Sequence, residues 1–286
     1  MFDGFIRQQV NAQGITINLV RGGNGYPVLL LHGYPQTHVC WHRVAPALAE
    51  RFTVVCTDLR GFGDSDKPPS DPEHMAYSKR VMAQDQVEVM QSLGFSEFAV
   101  VGHDRGARVA HRMALDHAER VTKLALLDVI PTSVAFANVD KEMATGAFNW
   151  FFSIQPDGLP ERLIGAEPAF YLHWILDHWS GRKGALAPEA VAEYERCFDA
   201  AMIRATNEEF RAAATVDLAH DEADKGRKIS CPTLLLWSAA SWTNFDVLEV
   251  WRSRAEDVRG AAFDCGHFLP EEHPKRTAAE LIRFLL

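Results

Sequence analysis

The residues with the most evident chemistry lie in Phe98-Ala99-Val100-Val101-Gly102-His103-Asp104-Arg105-Gly106-Ala107. A β-type run enters a small-X-Asp-X-small turn, and a helical pattern leaves it. Glycines at 102 and 106 permit a tight strand-to-helix turn that exposes residue 104 at a helix N-terminus, the layout of a nucleophile elbow. An aspartate before a helix can equally be an N-cap worth about 1 kcal/mol, so the elbow alone assigns no chemistry. Four other features do. Leu30-Leu31-His32-Gly33-Tyr34-Pro35 follows a strand and forms a turn that can aim backbone N–H groups at developing negative charge. Asp58-Leu59-Arg60-Gly61-Phe62-Gly63-Asp64-Ser65 is a strand end with a Gly-rich turn. Asp128 follows the apolar run Leu124–Leu127, and His267 follows a late strand in Asp264-Cys265-Gly266-His267-Phe268.

In this order, and over nearly the whole chain, these motifs resemble the aspartate-nucleophile branch of the α/β-hydrolase superfamily. The resemblance implies that Asp104 is the nucleophile, His267 the base and Asp128 the acid that orients the histidine; Asp246 is an alternative acid. A carboxylate is a poor acyl-transfer nucleophile but a competent one at saturated carbon. It would form an aspartyl ester that water, activated by His267, then hydrolyses. Esterase and peptidase chemistry is disfavoured; haloalkane dehalogenases, haloacid dehalogenases of this fold and epoxide hydrolases remain.

The next residues separate these. Arg105 and Arg108 are three apart and share a helix face, and paired guanidinium forks suit a carboxylate. Arginine is unfavourable at a helix N-terminus, so the pair asks for a compensating anion. Asp104-Arg105-Gly106-Ala107-Arg108-Val109-Ala110-His111-Arg112 resembles the fluoroacetate (haloacetate) dehalogenases, as do Phe151–Pro156, Phe210–Ala214 and Asp264–Glu272. The resemblance implies that Arg105 and Arg108 hold the substrate carboxylate, that the N–H groups of Tyr34 and Arg105 form the oxyanion hole, and that cap residues receive the halide. Here the chain departs from its relatives. Trp150 is present, but Asn149 stands where a histidine is expected and Phe210 where a tyrosine is. Asn149 retains an NH₂ donor and Phe210 has none, so the halide cradle is thinned. Phe210 and Trp179 are candidate pocket-lining residues.

The elements that must position these groups read as an α/β fold. Apolar runs at Ile15–Val20, Pro27–Leu31, Phe52–Thr57, Phe98–Gly102, Lys123–Asp128, Thr233–Trp237 and Gly260–Asp264 alternate with helical patterns at Thr37–Glu50, Lys79–Leu93 and Ala107–Ala118. This predicts a mostly parallel sheet with helices on both faces. The first run, followed by the turn Arg21–Gly25, reads as a hairpin into the sheet. Residues 131–230 break the alternation with aromatic-rich helical spacing, so a helical cap is expected between core segments 1–130 and 231–286.

Composition narrows the partners. A formal charge of −9 over 286 residues argues against nucleic acid and anionic membrane. No stretch is long and apolar enough to span a membrane, and the N-terminus does not read as a signal peptide. Five scattered cysteines suggest reduced thiols, hence a cytoplasmic setting. His32, His38, His42, His103, His111, His117, His173 and His178 show no metal-ligand spacing, and no metal or organic cofactor is expected. The expected ligand is a small halocarboxylate, and the resemblance implies a homodimer. An epoxide hydrolase, with Tyr171 or Tyr194 as proton donor, is the same-fold alternative; a non-catalytic small-acid-binding protein is the other.

Overall fold

The computed structural model describes Met1–Leu286. Eight strands, β1 (Ile6–Ala12), β2 (Ile15–Gly22), β3 (Tyr26–Leu31), β4 (Phe52–Thr57), β5 (Phe98–His103), β6 (Val121–Leu127), β7 (Thr233–Ser238) and β8 (Val258–Phe263), form one sheet in the order β1-β2-β4-β3-β5-β6-β7-β8. From β4 onward every pairing is parallel. The central strands carry apolar stretches on both faces, such as Val28–Leu31, Val54–Cys56, Phe98–Val101 and Leu124–Leu127, and β4 and β5 are buried along their full length. That composition fits strands covered by helices on both faces.

Two sequence expectations are corrected. β2 and β3 do not form a hairpin: β2 pairs antiparallel with β1 and with β4, and the chain passes over β4 to place β3 inside the sheet. The hairpin partner, β1, has the polar sequence IRQQVNA and lies half exposed at the sheet edge, where little apolar signal is required. Thr37–Glu50 is not one helix but a short 3₁₀ turn, His38–Trp41, and a single helical turn, Ala45–Ala49.

Between β6 and β7 the chain forms eight helices and no strand, from Thr132–Ala137 to Val216–Ala223. Buried cap residues such as Leu172, Ile175 and Met202 join the same apolar cluster as the sheet residues Leu29, Val100 and Leu126. The cap is therefore packed onto the sheet rather than tethered to it.

Register explains the site. β4 lies on one side of β3 and β5 on the other, so the topology switches between β3 and β5, the crevice where open α/β sheets bind ligands. Leu31 pairs with Gly102, His103 with Leu127, Leu127 with Leu236, and Ser238 with Phe263. Residues just beyond these pairs, Tyr34, Asp104, Asp128 and His267, consequently meet at one sheet edge.

Candidate active site

Asp104 is the point of the elbow. Its backbone has φ 50° and ψ −113°, and its side chain makes no capping bond to helix Arg105–Asp116. A non-glycine residue in that region carries a strain on the order of 1–3 kcal/mol, which an ordinary N-cap does not require. The flanking glycines are demanded by close approach. A Cβ at Gly106 would lie 2.4 Å from the His32 carbonyl oxygen, and one at Gly102 would lie 2.5 Å from that of Gly106.

The Tyr34 N–H donates to Asp104 Oδ1 at 2.9 Å, while Oδ2 faces His267 Nε2 across 3.7 Å. His267 Nδ1–H donates to Asp128 Oδ2 at 2.6 Å, which fixes the tautomer with Nε2 toward Asp104. Asp128 is held in turn by the Ser238 N–H and the Ser241 hydroxyl, both at 3.0 Å. Asp246 lies outside this set and caps helix Val247–Arg252. The Trp179 carbonyl accepts the His267 N–H at 2.8 Å, and the His267 carbonyl accepts His103 Nε2–H at 2.8 Å, so the histidine loop is pinned on both sides.

Burial alone would raise the Asp104 pKa, but the charges of His267 and Arg105 and the Tyr34 N–H hold it below the usual carboxylate range. Burial would lower His267, yet the hydrogen bond and charge of Asp128, with the charge of Asp104, keep it above the usual histidine value.

The two arginines differ in their surroundings. Arg105 is buried with its Nε–Nη2 edge on the carboxylate of Glu209, at 2.6–2.9 Å. Glu209 is fully buried and also pairs with Lys79 at 2.5 Å, which in turn pairs with Asp217 at 3.0 Å. The anion required beside the helix start is thus supplied by the protein. The local sequence signals Glu209 only by its spacing, four residues after Ala205 on the buried face of helix Ala200–Ala214. Arg108 donates through Nη1 to Thr132 at 2.5 Å, and its buried Nε and Nη2 have no partner. Burial and the charge of Arg105 lower its pKa to about 10, so it stays charged at neutral pH.

Trp150 lies under the Arg108 guanidinium at 4.6 Å and borders a cleft of about 380 Å³ that opens onto Asp104 and His267. Trp179 borders the same cleft, but Phe210 does not: it packs edge-on against Tyr34 and beneath Arg105. Asn149 is completely buried, with both amide atoms unpartnered, one helical turn from Ser153, whose hydroxyl is also unpartnered. No group of three or more His, Cys, Asp or Glu side chains is arranged to hold a metal ion. None of the five cysteines is paired, and no helix is long and apolar enough to cross a membrane.

Residues 26–274 match the family model for the alpha/beta hydrolase fold. A fluoroacetate dehalogenase from Burkholderia sp. is 45% identical, over 100% of this chain and 95% of its own. A soluble epoxide hydrolase from Corynebacterium sp. (strain C12) is 32% identical, over 96% of each chain. A crystal structure described as an alpha/beta hydrolase from Nostoc sp. PCC 7120 superposes with TM-score 0.98 at 58% identity, covering 100% of this chain and 99% of that one.

Proposed function

The chain belongs to the α/β-hydrolase family and to its haloacetate dehalogenase branch, and on that premise we propose that it hydrolyses small 2-haloacids to 2-hydroxyacids through an ester on Asp104. The observation that carries the reading is the buried, charged and unpartnered edge of Arg108, one helical turn from an ionised aspartate. A substrate carboxylate satisfies those donors and leaves Cα before Asp104. Arg105 contributes charge and whatever Glu209 leaves free, so Arg108 is the principal fork.

Oδ2 of Asp104 attacks Cα, the carbon–halogen bond breaks, and halide leaves toward Trp150 and the Asn149 amide. Esterification removes the Asp104 charge that helps keep His267 protonated. The imidazolium therefore gives up its proton to solvent more readily once the intermediate exists, which leaves the neutral imidazole that the next step needs. Nε2 then takes a proton from water, which adds to the ester carbonyl. The Tyr34 N–H already lies on an Asp104 oxygen and stabilises the oxyanion, with the Arg105 N–H at the helix start beside it. Asp128 holds the imidazolium. No metal or organic cofactor has a role in this cycle.

Leu159 and Leu163, four apart on one cap helix, and Phe170 and Trp174, four apart on the next, are exposed apolar side chains. They support a homodimer formed through the cap, to be checked by light scattering coupled to size-exclusion chromatography. A cytoplasmic setting fits five unpaired thiols. The test of function is a panel of fluoro-, chloro- and bromoacetate with halide and glycolate quantified together. Stoichiometric chloride and glycolate are expected, and absence of halide release from all three refutes the reading.

A further inference from the structure

His267 sits on a loop whose backbone is held by groups that take no part in the hydrolytic cycle. The Trp179 carbonyl accepts its N–H, and its own carbonyl accepts from His103. The N–H groups on either side, those of Gly266 and Phe268, both donate to the carboxylate of Glu272, at 3.1 Å each. The Glu272 oxygen that takes Gly266, Oε2, also accepts the N–H of Gly181 at 2.9 Å. Gly181 belongs to the cap, in the turn that follows helix Pro168–Trp179. One carboxylate therefore ties the histidine loop to the cap turn Trp179–Gly181, which borders the cleft, while Glu272 itself does not.

The two loops meet backbone to backbone. A Cβ on Gly181 would lie 2.5 Å from the Gly266 nitrogen, and one on Gly266 would lie closer still to the Gly181 nitrogen. Neither glycine has a positive φ, so close approach and not backbone conformation excludes a side chain at both positions.

The exact position of His267 matters unequally along the cycle. In ester formation no proton moves to Nε2, which lies 3.7 Å from Asp104 Oδ2. In ester hydrolysis Nε2 must meet a water at the Asp104 carbonyl while Nδ1 keeps its bond to Asp128, so the ring is constrained at both ends. Misplacing a reacting group by about 1 Å costs about a hundredfold in rate.

We propose that Glu272 is a positioning residue for His267, acting through the histidine loop and the cap turn, and that it serves ester hydrolysis and not ester formation. This rests on the Asp104 ester as the intermediate. Glu272 exchanges no proton in the cycle; its three bonds hold backbone, and the base they steady is His267.

The experiment follows chloroacetate with wild type, Glu272→Ala and Gly181→Ala by rapid quench, measuring formation and decay of the Asp104 adduct by mass spectrometry. Gly181→Ala leaves Glu272 in place and wedges the two loops apart. Proton NMR supplies a reading that needs no substrate: the downfield signal of the His267 Nδ1–H, identified by its absence from His267→Asn. Both variants are expected to form the ester within about twofold of the wild-type rate and to hydrolyse it about tenfold to a hundredfold more slowly. The His267 signal should broaden or shift in both. Retained ester formation also reports a folded protein. Hydrolysis at the wild-type rate in Glu272→Ala overturns the proposal, and so does an equal loss in both steps, the mark of a general packing role. An unaltered His267 signal in both variants overturns it whatever the kinetics. If wild type forms no ester and releases no chloride, the dehalogenation reading fails and the assignment to one step fails with it; a signal altered in both variants then still upholds Glu272 as the residue that positions His267.

Discussion

Replacing Arg108 by methionine separates the substrate-binding role proposed for this residue from what it costs the empty protein. In the free enzyme a fully buried guanidinium has one hydrogen bond, to Thr132, a cation–π contact with Trp150 at 4.6 Å, and two N–H-bearing nitrogens without partners. Each unsatisfied buried group costs about 1–3 kcal/mol. The cation–π contact returns about 1–2 kcal/mol and the Thr132 bond about 1.5–3. These nearly cancel, so Arg108→Met should change stability by no more than about 1 kcal/mol, a shift of a few degrees in Tm. With substrate bound the balance is different. Losing one partner of a buried charge pair costs about 2–5 kcal/mol, or roughly thirtyfold to a few thousandfold in kcat/KM. The wild-type Arg105 edge is already occupied by Glu209, so Arg105 cannot compensate fully. The assay is steady-state halide release from chloroacetate and from neutral chloroacetamide, with thermal melting of both proteins. A loss confined to chloroacetate at nearly unchanged Tm is expected. Equal losses on acid and amide, or undiminished chloroacetate turnover, would refute Arg108 as the carboxylate fork.

Other consequences follow from the same geometry. Asp104→Asn should abolish multiple turnover, because an amide does not displace halide; wild-type-like rates in fresh protein would exclude Asp104 as nucleophile. His267→Asn should release one halide per site and leave a carboxymethyl adduct on Asp104 detectable by mass spectrometry. A variant with neither burst nor adduct would place His267 in the first step. Asn149→His should raise the fluoroacetate-to-chloroacetate rate ratio by about tenfold or more, since a hydrogen bond to a charged group is worth about 1.5–3 kcal/mol; an unmoved ratio would show that halide leaves elsewhere. Burial raises Glu271 to about 8 against the hydrogen bonds donated by Tyr194 and Gln36. The folded state therefore retains this proton where the unfolded chain has lost it, and stability should fall as pH rises from about 5 through 8. Glu271→Gln should flatten that fall in urea titrations, and an identical slope in both proteins would show that Glu271 does not titrate there.

Much of the molecule is legible in the sequence because strand, elbow and helix signals are local. Glycines at 102 and 106, an apolar run before them and a helical pattern after them specify the turn at Asp104 without reference to the rest of the chain. The parallel sheet likewise follows from alternation, and the helical cap from the loss of it. What the sequence could not supply is pairing across distance. β1 carries little apolar signal because an edge strand needs few apolar residues, and β2 pairs with β4, its neighbour in space, rather than with β3, its neighbour in sequence. Asp128 and Asp246 both follow strands. Only the register of β5, β6 and β7 decides that Asp128 reaches His267 while Asp246 caps a helix. The arginines show the limit most clearly. Their spacing puts them on one helix face, but the neutralisation of Arg105 depends on Glu209, 104 residues away, and on Lys79 beside it. Residue types and local periodicity determined which groups are available for chemistry. Tertiary packing, by bringing distant charges within hydrogen-bond reach in a buried setting, decided which of them remain free for a ligand.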